Sequence, residues 1–388
     1  MNRSTRRQFL KSSGAVIATA ILPTWGCDGN EVRIKSMPTG PDMDIMDMDM
    51  EEMSVEEMAD MLPLPPITSN ARHYLQSIKG KNYDPKISAN SWRLAVDGLV
   101  DQPRTDWTYA DITALPMQRQ VLTMQCIGNW IGGPLVGNAE WGGTPLSEVL
   151  NLAGIKSEAI RVKFYSDSSD GYTTSIPLDR ALRDEVILAW EMNGEPLPSK
   201  HGFPLRLINP GHYGQKMPKW ITRIELIDEE YLGYWESKPE NKSIKWSDPA
   251  VATVNSRIDA PLSVWDDVKD PDNGGVTRVL QTLRGVEGSP FIIHGIAMAG
   301  ERTIESVKVS TNGGRAWHEA QITTQRLPNI WVTWAYEWAL PASGEYEIVA
   351  RATDSEGKSQ PRTDAGADLY DGRTGWHRVP VKVASRAG

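Results

Sequence analysis

Cysteine is nearly absent: the chain has 388 residues and only Cys27 and Cys126. Cys27 falls in a leader-like segment; if it is removed or acylated, Cys126 has no partner in the chain and a disulfide framework is excluded by arithmetic. No Cys-x-x-Cys-His occurs, so no haem is expected. Phenylalanine is scarce, 4 against 15 tryptophans, and tryptophan serves where a large apolar body needs a polar handle. Long apolar runs are few, and none reads as a transmembrane span. Positive charge is in deficit, 41 Lys and Arg against 50 Asp and Glu, a net charge of −9. A nucleic-acid partner is not expected, because phosphate binding wants a basic face.

What is present describes a folded, multi-domain chain. Hydrophobic residues make up 40% and charged residues 23%, the profile of a globular protein, and the length suits two or three domains. With 33 glycines and 26 prolines, many strands and turns are expected.

Residues 1–27 read as a signal peptide. Arg6-Arg7-Gln8-Phe9-Leu10-Lys11 precedes the short apolar stretch GAVIATAILP and resembles a twin-arginine signal, a route for proteins exported already folded. The expected location is periplasmic or otherwise extracytoplasmic. Leu22-Pro23-Thr24-Trp25-Gly26-Cys27 resembles a lipobox, with Thr24 and Trp25 departing from the usual residues. A lipid anchor at Cys27 and simple cleavage both stay open.

Residues 28–66 read as an acidic, Met-rich linker closed by prolines, with a short helix at SVEEMADM. A copper-handling tail is the competing reading, since thioethers favour Cu(I). The first domain is placed at 67–248. WRLAVDGLV alternates like a strand, TPLSEVLNLAG is a Pro-led helix with Leu146, Val149, Leu150 and Leu152 for the core, and PLDRALRDEVILAWEMNG reads helix, strand and Asn-Gly turn. Helices and strands mix without a regular βαβ period, so the class is α+β. The second domain, 249–388, offers successive strands and few helix signals, the pattern of a β-sandwich. Val332, Trp334, Tyr336 and Trp338 share one strand face, read as core.

Cys126 in VLTMQCIGNW ends a strand beside the Gly-rich run NWIGGPLVGNAEWGG, where backbone can approach a ligand closely. It reads as a nucleophile or a soft-metal ligand. No histidine sits in a recognisable Cys/His protease context, and no short-spaced Cys/His set suits zinc. HGFPLRLINPGHYGQKMPKW gathers His201, Arg206, His212, Lys216 and Lys219 around Gly211 and Gly214, a pattern suited to an anion.

Together, WRLAVDGLV, VLTMQCIGN, WGGTPLSEVL, DGYTTSIPL, LAWEMNGEPLP, HGFPLRLINPG and KWITRIEL stand in the order found in the sulfite oxidase family of molybdopterin oxidoreductases, which this chain resembles. VNSRIDAP, IHGIAMAG, VSTNGGRAWHEA and GWHRVPV resemble that family's immunoglobulin-like second domain. The resemblance implies a sulfite-oxidase-type mixed α/β domain followed by an immunoglobulin-like β-sandwich. It implies one molybdenum-molybdopterin per chain, with Cys126 as metal ligand. His201, Arg206 and Lys219 fall on the family's pterin-phosphate contacts. Asn129 and Asp170 fall where the family contacts the cofactor loop or pterin. A soft thiolate is the right protein ligand for such a metal.

Two positions depart from the family. Its substrate-binding arginine becomes Gln76 in His73-Tyr74-Leu75-Gln76, and its active-site tyrosine in LAYEMNG becomes Trp190. Losing a guanidinium and a phenol weakens the case for sulfite. The expected activity is two-electron oxygen-atom transfer on a small sulfur-containing substrate, with a sulfoxide or other S- or N-oxide reductase as the alternative. Electrons would pass to or from a separate cytochrome or quinol partner. A non-catalytic or copper-binding module is the competing class. The family's second domain often dimerises, while β-sandwiches also cap monomers, so homodimer and monomer stay open.

Overall fold

The computed structural model describes residues 62–237, 246–261, 280–362 and 372–385, with the backbone alone of 265–266 and 277–278. The leader, the SVEEMADM segment and nearly all of the expected linker lie outside the described residues. The end of that linker is docked: the Gln325 amide donates to Pro63 O at 3.1 Å, and Asn138 Nδ2 donates to Pro66 O at 3.1 Å. No described helix is long and apolar enough to cross a membrane.

The first half of the chain builds two sheets around two cores. One sheet runs in the order Arg104–Trp107, Leu94–Gly98, Ile221–Ile227, Arg161–Ser166, Thr173–Pro177. Leu94–Gly98 and Ile221–Ile227 are parallel, although they are far apart in sequence. The other sheet runs Gln118–Gln125, Val136–Pro145, Ile187–Met192, Glu195–Pro196, with Arg206–Ile208 paired antiparallel to Ile187–Met192.

The helix Leu146–Ala153 ends at Gly154, whose φ of +71° favours glycine. Leu146, Val149, Leu150 and Ala153 are buried, while Leu152 is 52% exposed. The expected core role of Leu152 is therefore corrected: two residues on from Leu150, it sits nearly opposite that side chain around the helix axis and faces solvent. Asn193 and Gly194, with φ of +54° and +74°, make the tight turn between Met192 and Glu195.

Strand alternation decides which side chains can reach a site. On Ile187–Met192, Leu188 and Trp190 enter the core that contains the helix, while Ile187 and Ala189 enter the second core with Met124, Trp141 and Met217. Around Arg206–Ile208, Leu205 and Leu207 share the core of Trp190, and Ile208 lies with Trp141. Arg206 stands on the Trp141 side, its guanidinium over that ring.

The second half is a sandwich. One sheet runs Asn255–Ala260, Pro290–Met298, Val332–Ala339, Gln321–Ile322, and the other Gln281–Gly285, His377–Ser385, Gly344–Asp354, Ile304–Ser310, His318–Glu319. Val332, Trp334 and Trp338 are buried in its core, with Tyr336 packed against them. The architecture is thus α+β with an immunoglobulin-like β-sandwich following, as the strand pattern implied.

Candidate functional site

Cys126 follows directly on the strand Gln118–Gln125, whose last residue pairs with Val136. The intervening loop closes on itself. The Cys126 amide donates to Leu135 O at 3.0 Å, and the Asn129 amide donates to Cys126 O at 2.9 Å. Asn129 is buried: its Oδ1 accepts from the Leu135 amide at 2.9 Å and its Nδ2 donates to Gly133 O at 3.4 Å. A Cβ at Gly133 would fall 2.4 Å from Asn129 Oδ1, so the turn has room only for glycine there. Cys126 is partly buried, and burial pushes its thiol up to about 11. A thiol held neutral is a poor nucleophile, and its thiolate needs a cation beside it, which a metal supplies.

The basic residues cluster around Gly202. Gly202, with φ of +122°, lets Arg206 and Lys219 approach: a Cβ there would lie 3.0 Å from the Cβ of each. Arg206 Nη1 donates to His201 O at 2.8 Å and Nη2 contacts Met124 Sδ at 3.3 Å, joining it to the strand that carries Cys126. Its Nε has no hydrogen-bond partner, and no carboxylate pairs with it among the described residues. Lys219 Nζ donates to Lys200 O at 3.0 Å and lies 4.1 Å over the Trp220 ring. Burial, then the Arg206 charge, lowers the Lys219 ammonium to about 7, with Asp170 opposing. Asp170 is buried and accepts from Ser77 Oγ at 3.1 Å; burial raises its carboxyl. His201 Nε2 meets Asn70 O at 2.8 Å, and burial lowers the ring to about 4.

His73 and Tyr74, which carry no site expectation from the sequence, pack against this cluster. Their rings stack at 5.2 Å, and His73 meets His201 edge-on at 5.5 Å. The Tyr74 hydroxyl abuts Gly214, where a Cβ would be 2.6 Å away. Burial raises the phenol well above its ordinary range, Cys126 pushes in the same direction and Arg206 opposes, so Tyr74 lies within electrostatic reach of both. The only sequence signal was their position just ahead of Gln76.

Other expected residues differ in exposure and in partners. Gln76 is exposed. Trp190 is in the helix-side core, because alternation turns it away from the Met124 and Trp141 face. Lys216 is fully buried and already paired, with Glu236 Oε1 at 2.5 Å and Asp248 Oδ1 at 2.9 Å, so it is not available to an external anion. His212 turns its Nδ1 to Pro210 O at 2.9 Å.

The residues fit a molybdopterin cofactor. Among the described residues no cluster of three or more His, Cys, Asp or Glu could hold a metal ion, so a metal at Cys126 needs further ligands of its own. The unpaired Arg206 guanidinium, with Lys219 beside it, calls for an anion, since burying an unpaired charge is costly. One thiolate and an anion pocket are what a metal chelated on a phosphorylated pterin requires.

Residues 81–235 match the oxidoreductase molybdopterin binding domain, and residues 278–384 the Mo-co oxidoreductase dimerisation domain. Mitochondrial sulfite oxidase of Mus musculus is 32% identical over 340 residues, 77% of this chain and 59% of that protein. The sulfite oxidase of Arabidopsis thaliana is 30% identical over 337 residues, 76% of this chain and 83% of the plant protein. The chain therefore spans well under two thirds of the mouse protein. The sulfane dehydrogenase SoxCD from Paracoccus pantotrophus has the same fold, with a TM-score of 0.62 at 23% identity over 90% of this chain and 94% of that one. With the cysteine loop, the basic pocket and the sandwich in the same chain order, this protein belongs to the sulfite oxidase family.

Proposed function

We propose that this chain is an exported molybdopterin-dependent oxidoreductase acting on a small sulfur-containing substrate. The observation that carries the reading is the buried Arg206 guanidinium, without a carboxylate partner among the described residues, joined through Met124 to the strand that leads into Cys126. Cys126 would ligate the metal, and Arg206, Lys219 and His201 would hold the pterin phosphate. When bound, the cofactor supplies two-electron oxygen-atom transfer. Asn129 keeps the Cys126 turn closed, Asp170 counters the charge of Lys219, and Tyr74 keeps its phenolic proton.

A reductase acting on a sulfoxide or other S- or N-oxide is the second reading, favoured by Gln76 where the family has an arginine. An anionic substrate loses a bidentate donor there, and a neutral one does not. Electrons pass to or from a separate cytochrome or quinol partner. The twin-arginine-like leader supports an extracytoplasmic location, with Cys27 as lipid anchor or cleavage point. The match of 278–384 to a dimerisation domain supports a homodimer.

Molybdenum analysis of the purified chain tests the reading. About one metal per chain is expected, with loss in Cys126→Ser. Copper without molybdenum would instead identify a copper-binding module. Sulfite with an oxidised dye, and sulfoxides with a reduced dye, distinguish the two directions.

A further inference from the structure

The second domain reaches into the loop that carries Cys126. On the strand before the cysteine, the Thr123 amide donates to Asn329 O at 2.8 Å, and the Trp331 amide donates to Thr123 Oγ1 at 2.7 Å. On the far side of the loop, Arg257 Nη1 donates to Gly133 O at 3.2 Å, with the guanidinium aligned by Asp259 at 2.6 Å. Between them, Gly132 has φ of +75° and lies against the His377 ring: a Cβ there would fall 2.0 Å from Nε2. His377 is fully buried, and its Nδ1 accepts from the Ile258 amide at 2.9 Å. That bond assigns the proton of the neutral ring to Nε2, the atom facing Gly132. Val136, just after the loop, packs with Ile296, Met298 and Trp331.

We propose that the second domain, beyond any role in assembly, positions the cysteine loop, with His377 and Arg257 as the positioning residues. The proposal rests on the reading of Cys126 as metal ligand. Within the loop, the Asn129 side chain and a few backbone bonds hold the turn. A segment with few internal ties opens at low free energy. Arg257 supplies an external hydrogen bond, and the His377 ring fills the space into which Gly132 would otherwise move. A ligand that must sit within about 0.5 Å of its productive position needs such support.

The test uses the full chain in a Cys27→Ser background, produced without cofactor. The measurement is the rate at which dithiobis-nitrobenzoate modifies Cys126 under native conditions. His377→Ala and Arg257→Ala are expected to raise that rate at least about tenfold. Glu301→Gln, which removes the ion pair of Glu301 with Arg180 and Arg183 elsewhere between the two domains, is expected to leave it at the parent's value. In the loaded protein, His377→Ala should shift the sulfur-to-metal charge-transfer absorption, and Glu301→Gln should not. Parent-like rates in both loop variants, or equal acceleration by Glu301→Gln, would overturn the proposal. If His377→Ala does not fold, Arg257→Ala carries the same expectation, because it removes one donor and leaves the core intact. The thiol rate is read without metal, so it stands or falls separately from the metal assay of Cys126→Ser.

Discussion

The guanidinium carbon of Arg206 lies 4.6 Å over the Trp141 ring, and no carboxylate pairs with it among the described residues. Burial lowers this arginine to about 10, a measure of how poorly the protein alone accommodates its charge. The ring offsets part of that cost. Arg206→Met should therefore leave the cofactor-free protein as stable as the parent, or more stable by about 1–3 kcal/mol. The same change should weaken cofactor retention tenfold or more, since a charge-assisted hydrogen bond contributes about 1.5–3 kcal/mol. Urea denaturation and the metal-to-chain ratio measure the two effects. A loss of stability in the cofactor-free protein would show that the hydrogen bonds of Arg206 to His201 O and Met217 O outweigh the cost of burying the charge.

The pocket histidines and Lys219 set a pH dependence. Burial lowers His73 to about 3 and His201 to about 4, both from an ordinary 6.5, with Arg206 also opposing their protonation. The unfolded chain then binds more protons than the fold, so stability falls as pH drops from 6.5 toward 4. His201 alone accounts for a loss on the order of 3 kcal/mol. Lys219, lowered to about 7 from 10.5, has the same sign at higher pH: cofactor-free stability rises between those values. An anion bound beside Lys219 removes that alkaline rise. Melting temperature against pH, with and without cofactor, checks both parts.

Lys216 serves the fold. Its Nζ is 2.5 Å from Glu236 and 2.9 Å from Asp248, and Asp248 also accepts from Arg161 at 2.9 Å. Lys216→Met should destabilise by about 3–5 kcal/mol, because it leaves buried carboxylate uncompensated. Lys216→Met with Glu236→Leu should recover much of the loss. The metal content of folded Lys216→Met should match the parent's, unlike that of Arg206→Met.

Helix Leu146–Ala153 separates two leucines that look equivalent in sequence. Leu150 is fully buried, and Leu150→Ala should cost about 2–5 kcal/mol. Leu152 is half exposed, and Leu152→Ala should change stability by no more than about 0.5 kcal/mol. Chemical denaturation separates them.

Much of the site was legible before any coordinates. The lone cysteine, the glycines after it and the HGFPLR run are local signals, because each needs only its neighbours in sequence to state its chemistry. The failures share one cause. Trp190 and Lys216 were judged by residue type and motif neighbourhood, but strand alternation sent Trp190 to the other core, and Glu236 and Asp248 claimed Lys216. His73 and Tyr74 were missed because their partners, His201, Arg206 and Gly214, are more than a hundred residues away in sequence.

The sequence by itself determined the chemistry available: a cysteine outside the leader-like segment, a set of cations and the order of the strands. Only the tertiary structure decided which cations lack a counter-charge among the described residues and which groups pack against the cysteine turn. Those are questions of who lies beside whom, and burial makes the answer matter. In water Arg206 and Lys216 would each carry a solvated positive charge; inside the fold Lys216 has its carboxylates, and Arg206 has none among the described residues.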